Sequence, residues 1–516
     1  MDVTSTLCCI PQEVLEHIAF HLGSESFLGP PSSIPALLLT CHQLHSQLSF
    51  DGNHHLYARI FCSKFDTAAA QSRLDVGRLT SKPLAEELKK RCTFLKRLKG
   101  RLDSTVGAHH QREGSREISV RDTLFTAYVM VLENEGKNVA QLEEFGKIRL
   151  WIREFWFDIR GSSLAVYNIQ TGNWPLMCVE TALGMWLLWF FLSPEEYTSD
   201  NSPESPLSVI KAIAVGEHVF NLTTLGWAES NSDDNLYTIT LYGEKIACRA
   251  PPLAVPAILS YFTLSLPPGR LVPQTPRFAS LPHPSWQEWE LEWSRSFPRV
   301  GHLTDHFRAG SMEGAWEGFF IYPEFEAYAS LLAGAPPSVA QKCLVGRHQQ
   351  TWKLREYHLI ATDGGLGSSF DINSKSEGEV DMPPAGSPLR AYFPPGANVQ
   401  ETKDGLIMTR ADSSKKIKYT RYSKSRHLKT FQIRDIILVG EGHSAWGQFN
   451  ILGRVRPYDG FVTLLKDYAN GARGQWLYRA YLVGNSNGNL AGRWRDTWTP
   501  LDHQGYEGCF IMSRRR

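Results

Sequence analysis

The sequence predicts a multidomain α+β chain, helical at its N-terminus and through its middle and ending in an antiparallel β-barrel. Three observations predict it. Apolar residues recur at intervals of three and four up to Ser265, Pro, Ser and Gly accumulate from Leu266 to Pro284, and beyond that stretch apolar residues recur with a period of two. The expected domains are residues 1–65, 66–285 and 286–516.

The first element follows from Pro11, which suits a first helical turn, with Val14, Leu15, Ile18 and Leu22 forming a narrow apolar face behind it. A second apolar run extends from Leu37 through Leu38, Leu39 and Cys41 to Leu44, followed by Leu48. Two or three helices this short cannot bury a core of their own, so their apolar stripe is expected to dock on another protein.

These residues resemble the F-box, the helical module by which substrate receptors attach to the Skp-type adaptor and cullin of an SCF ubiquitin ligase. The family's Leu-Pro-x-Glu-Leu start has its counterpart in Ile10-Pro11-Gln12-Glu13-Val14, and its Leu-x-x-Thr/Val-Cys core in Leu37 to Leu44. The loop from Gly23 to Ser33 is longer than usual, and Leu48 and Phe50 stand where a tryptophan often closes the module. The continuation His55 to Phe61 and Lys64 to Asp66 is similar to that of large fungal F-box proteins. The resemblance implies adaptor contacts by Ile10, Pro11, Val14, Leu15, Ile18, Leu22, Leu37, Leu38, Cys41, Leu44 and Leu48.

Composition sets the broad class. With 42% hydrophobic and 21% charged residues over 516 positions the chain has material for several cores, and a net charge of +1 argues against a dedicated nucleic-acid or membrane-surface binder. The nine cysteines show no Cys-x-x-Cys and only one adjacent pair, Cys8-Cys9, which suits reduced thiols in the cytoplasm or nucleus.

In the middle third, Leu84, Leu88, Cys92, Leu95 and Leu98 predict a helix after Pro83, Leu124, Tyr128 and Val131 a second, and Leu142, Phe145, Ile148 and Ile152 a third. The run Leu176 to Leu192 contains Glu180 and meets Pro194 too early for a membrane span, so it is expected to be a buried central helix. Further helices are expected at 206–220 and 252–265. This block serves as a spacer in the expected architecture. The basic cluster Lys89, Lys90, Arg91, Lys96, Arg97, Lys99 and Arg101 is expected to be a solvated helix face. Connectors are marked from Pro194 to Pro206, Leu266 to Pro284 and Gly364 to Pro395.

Strand-like runs then succeed one another: Ala315–Tyr322, Thr351–Ile360, Leu389–Phe393, Leu406–Thr409, Lys416–Tyr422, Asp435–Val439, Trp446–Arg456, Phe461–Tyr468, Gln475–Val483, Leu490–Trp498 and Tyr506–Met512. Closing so long an antiparallel sheet removes its edges, which favours a barrel. Small residues stand near Trp316, Trp446 and Trp494, each expected to begin a strand and plug the tapered barrel. Such starts resemble those of calycin-type barrels, and the C-terminal region resembles that of fungal F-box proteins.

No phosphate-binding loop occurs, Gly364-Gly365-Leu366-Gly367 lacks the dinucleotide spacing, and Gly442-His443-Ser444 lacks the second glycine of a nucleophile elbow. His302 and His306 share zinc-like spacing without the intervening glutamate, and His17 and His21, spaced likewise, are expected to face solvent or rim an interface. No metal, cofactor or catalytic residue is expected. Arg479, Tyr481, Trp494, Arg495 and Trp498 combine guanidinium forks with aromatic surface and are the candidates for capturing a protein substrate, with Arg454, Arg456, Trp352 and His358 behind them. The expected function is therefore that of a non-catalytic substrate-recognition subunit of an SCF-type ubiquitin ligase. The alternative is a calycin-like small-ligand binder.

Overall fold

The computed structural model describes residues 10–74, 79–107, 119–197, 202, 204–222, 236–266, 273, 276, 285–297, 307–360, 397–409, 416–423, 433–455, 460–469, 471, 473–484, 488–500 and 503–515. The expected strand Leu389–Phe393, the segment Gly364 to Pro395, and His302, His306 and Arg456 lie outside the described residues. The chain divides into two compact units, Met1–Ser162 with Tyr237–Cys248 and Arg277–Gln287, and Ser163–Leu236 with Arg249–Pro276 and Glu288–Arg516. The expected boundary after residue 65 falls inside the first unit, and the helices from 163 to 265 belong with the barrel.

The first unit opens with α1 (Gln12–Ser24), α2 (Ile34–Leu38), α3 (His42–Leu48) and α4 (His54–Lys64). Their shared interior is Leu15, Ala19, Ile34, Leu44, Leu48 and Ile60. Asn53 starts α4 by accepting the Leu56 amide, and its own amide donates to Glu16 Oε1 at 2.7 Å, joining α4 to α1. The loop after α1 is held by Gln141, whose carbonyl accepts from Gly29 N and whose amide donates to Phe27 O, both at 2.7 Å. The unit continues through α5 (Ala68–Arg73), α6 (Ser81–Lys99), α7 (Val120–Leu132), α8 (Lys137–Ala140) and α9 (Ile148–Phe157). The predicted third helix of this region is two elements, because α8 runs into a π-helical turn, Gln141–Phe145, and Lys147 adopts left-handed backbone before α9.

A hairpin, β1 (Leu236–Leu241) and β2 (Glu244–Arg249), interrupts the otherwise helical middle of the sequence. Its turn places Tyr242 and Gly243 both at positive φ, as a two-residue type I′ connection requires. The buried Arg91 on α6 donates to Glu87, to Glu133 at 2.7 Å and to Tyr242 Oη at 2.9 Å, and the Tyr242 hydroxyl donates to Glu133. Arg97 and Arg101 pair with Asp103 and Glu154. Of the predicted solvated basic face, Lys89, Lys96, Lys99 and Arg101 are exposed and Lys90 and Arg97 half-buried, whereas Arg91 is wholly buried.

The second unit contains α10 (Ala165–Gln170), α11 (Val179–Phe190), α12 (Pro206–Val215), α13 (Ala254–Ser265), α14 (Glu290–Ser296), α15 (Phe325–Leu332) and α16 (Pro337–Lys342). Every residue of α11 except Glu180 is buried, and no helix among the described residues is long and apolar enough to cross a membrane. Its strands are β3 (Gly314–Pro323), β4 (Val345–Ile360), β5 (Asn398–Thr402), β6 (Gly405–Thr409), β7 (Lys416–Arg421), β8 (Ile433–Ser444), β9 (Gly447–Val455), β10 (Phe461–Tyr468), β11 (Gln475–Val483), β12 (Asn489–Asp496) and β13 (Glu507–Arg514). β3, β4 and β8 to β13 pair in chain order, and β13 returns to β3, so eight antiparallel strands close into an up-and-down barrel. β5 to β7 extend from the end of β4, where Tyr357 and Ile437 pack with Leu406, Met408, Ile417 and Tyr419 in a small core of their own.

Closure depends on the absence of a side chain at Gly318, where a Cβ would run into the Ile511 carbonyl across the β3–β13 seam. Inside stand Trp316, Phe320, Trp352, Leu354, Leu438, Phe449, Tyr478, Trp494 and Phe510, all part of one continuous core. Trp316 does lie near the start of its strand, and its indole donates to Met312 O at 3.0 Å. Trp494 is instead the sixth residue of β12, donating to Ile321 O at 2.8 Å, and Trp446 sits in the turn before β9.

Candidate functional sites

The two units offer different kinds of surface. In the first, α1 turns Leu15 and Ala19 inwards and leaves Val14 47% and Ile18 40% exposed, and Leu39, just past α2, is 84% exposed. Pro11 is exposed too, whereas Ile10, Leu22, Leu37, Leu38 and Cys41 are half-buried. Leu15, Leu44 and Leu48 are buried as the module's own core, so these three of the eleven residues assigned to adaptor contact serve by shaping the helices. Leu39 was not among the expected contacts; its exposure is the property the sequence could have suggested, as the third leucine of a run too wide for a single stripe.

In the second unit, the residues expected to meet a substrate do not form one surface. Trp494 is inside the barrel. Arg495 points to the outer side but is buried, its guanidinium donating to the carbonyls of Thr499, Pro500 and His503 at 3.2 to 3.3 Å and so folding the β12–β13 connection. Arg479 pairs with Glu507 at 3.2 Å, and Tyr481 is buried beside Phe461 with the Arg295 guanidinium 4.7 Å above its ring. Trp498 alone of the five is 76% exposed. Of the secondary candidates, Arg454 is held by Asp435 at 2.7 Å, and Trp352 and His358 are buried in the barrel.

Around Trp446 the turn between β8 and β9 covers one barrel end. The indole lies 5.0 Å from Phe320, 5.8 Å from Tyr322 and 5.1 Å from His348, and the Arg473 guanidinium is 5.5 Å from its own ring. Beneath this cover is Lys466, 1% exposed, with its ammonium 3.1 Å from Gln350 Oε1 and 4.0 to 5.5 Å from the rings of Phe449, Tyr468, Phe320 and Tyr478. Burial pushes its pKa down to about 7. The alternation Val462, Leu464, Lys466, Tyr468 on β10 already put a lysine on the inner face, so this residue could have been found by period alone. At the opposite end Glu356 accepts from Gly310 N and Met312 N at 2.7 and 3.0 Å and meets His358 Nε2 at 2.6 Å.

The barrel wall carries a groove of about 460 Å³ lined by Thr351, Lys353, Glu441, His443, Gln448 and Asn450, with Gly442 in its floor. Its polar side chains are exposed, while Ala315, Trp352, Phe449 and Ala469 also line it, so the groove offers hydrogen-bonding groups beside apolar surface, as a segment of another protein requires. Among the described residues no group of three or more His, Cys, Asp or Glu is placed to hold a metal ion. The fold and these surfaces define a helical module joined in one chain to a closed eight-stranded meander barrel. Compared with known proteins, the chain matches no family model, no curated protein and no solved structure.

Proposed function

We propose that the chain is the substrate-recognition subunit of an SCF-type ubiquitin ligase, its first helices docking on a Skp-type adaptor bound to cullin and its barrel capturing a protein target. The observation that carries the reading is the solvent-facing set Val14, Ile18 and Leu39 on a module whose own interior is already filled by Leu15, Ala19, Leu44 and Leu48. The part of these side chains that faces solvent adds little to the module's stability, and it gains free energy when a partner covers it. The open groove on the barrel wall, with polar side chains beside apolar ones, supports a protein segment as the captured target. No catalytic group is required of such a subunit, because the transfer chemistry belongs to the recruited conjugating enzyme.

The test is co-purification of the full chain with a Skp-type adaptor. Replacing Val14, Ile18 and Leu39 together with Asp should remove an anchor worth roughly 1 to 2 kcal/mol per side chain, and so weaken docking by about a hundredfold or more. Because Leu39 is largely exposed and Val14 and Ile18 are each close to half exposed, the melting temperature should fall only modestly. Equal adaptor recovery with a folded triple variant overturns the reading.

A further inference from the structure

We propose that His17 and His21 form a two-nitrogen site for an exchangeable transition-metal ion, Zn(II), Ni(II) or Cu(II). The two residues stand one turn apart on α1, both exposed, with their rings edge to face at 4.5 Å and 88° and their Nε2 atoms 3.1 Å apart. Spacing of four residues on a helix brings side chains together, but it does not by itself aim two ring nitrogens at one point. Here the two Nε2 atoms already lie within hydrogen-bond distance, so rotation of the rings can turn both lone pairs onto one ion. With metal–nitrogen bonds of about 2.1 Å, nitrogens 3.1 Å apart subtend about 95° at the ion, and a small χ rotation widens this towards a tetrahedral angle.

In the metal-free pair one ring donates its Nε2 proton to the lone pair of the other. When an ion binds, each ring carries its proton on Nδ1 and presents the Nε2 lone pair, so no net proton is lost from two neutral rings, whereas a protonated ring must release one. Imidazole pairs select late first-row ions over Mg(II) and Ca(II), which take oxygen ligands. Since no third His, Cys, Asp or Glu among the described residues joins the pair, water fills the remaining positions and the ion exchanges freely, unlike one closed in by four protein ligands. Positions 14, 17, 18 and 21 share one helical face, so the open side of the ion lies beside the exposed Val14 and Ile18.

This site stands or falls apart from the adaptor reading, because its test uses the full chain alone. The chelator-treated protein is titrated with Ni(II) by equilibrium dialysis, and its melting temperature is followed with Ni(II), Zn(II) and Mg(II). The chain has 17 histidines, so the comparison is with His17→Ala and His21→Ala, and with His42→Ala as an exposed control. Wild type and the control should bind one Ni(II) equivalent that both single variants lack. Ni(II) and Zn(II), but not Mg(II), should raise the melting temperature of the first two only. Equal stoichiometry and equal thermal shifts in all four proteins overturn the site.

Discussion

The first helices keep apolar side chains in solvent, while the barrel takes polar ones out of it. Val14 and Ile18 are each close to half exposed and Leu39 largely so, whereas Lys466, Gln350, Glu356 and His358 are almost wholly buried. The contrast follows from geometry. Four short helices present more apolar surface than they can turn towards one another, but a closed sheet sends every second residue inwards whatever its chemistry. Exposed apolar groups therefore mark where a partner gains, and buried polar groups mark where the fold must supply hydrogen bonds. Glu356 has two backbone amides and a histidine to satisfy it, but the bonds made by Lys466 go only to uncharged groups.

The largest expected effect concerns how far the barrel reaches for such partners. Arg493 on the outer side of β12 is buried, donating to Ala214 O at 2.7 Å and Phe220 O at 3.0 Å, and stands 3.2 Å from the Glu217 carboxylate. Burial pushes Glu217 up to about 8 against the pull of that guanidinium. Arg493→Ala strands both carbonyls and the carboxylate and should cost about 3 to 5 kcal/mol in thermal or denaturant unfolding. A fragment of residues 290–516 would strand Arg493 in the same way, and it should melt well below a fragment beginning at residue 163. Equal melting of the two fragments would break the view that the helices from 163 to 265 belong to the barrel.

Lys466 sharpens the comparison with the opposite sign. Its folded pKa of about 7 lies below its ordinary 10.5, so the unfolded chain binds more protons between those values and stability rises with pH across that window. Below about pH 7 both states are protonated and the full cost of burying the charge is present. Lys466→Met should therefore stabilise the second unit near neutral pH by on the order of 2 to 3 kcal/mol and flatten its stability between pH 7 and 10. A variant less stable than wild type at pH 7 would mean that the four rings and Gln350 outweigh desolvation.

How legible these features were depends on the range of the signal. The barrel strands follow a period of two, and the runs Phe461–Tyr468 and Gln475–Val483 coincide with β10 and β11. The β1–β2 hairpin escaped because its turn uses Tyr242 in left-handed backbone, a residue that carries no turn signal and is held there by Arg91 and Glu133. α15 and α16, between β3 and β4, are too short for helical periodicity to show. Side-chain roles were least legible. Arginine and tryptophan in one strand suggest recognition, yet alternation alone sends Trp494 inwards and Arg495 outwards, and only the folded β12–β13 connection shows that Arg495 is spent on three carbonyls.

The smallest effects separate those two roles. Arg495→Ala leaves the carbonyls of Thr499, Pro500 and His503 without their donor and should cost about 1 to 3 kcal/mol of barrel stability, with any loss of target capture following the loosened connection. Trp498 touches little: its ring lies 3.6 Å from where a side chain at Gly474 would begin, and most of its surface faces solvent. Trp498→Ala should therefore change unfolding by no more than about 0.5 kcal/mol, yet a large exposed indole is the kind of side chain that anchors an interface, so capture of a target from extract should fall. Measured side by side, melting and capture should move together for Arg495→Ala and apart for Trp498→Ala. If Trp498→Ala leaves the captured proteins unchanged, the recognition surface is not at this end of β12, and the groove bounded by Lys353, Glu441 and His443 becomes the next place to substitute.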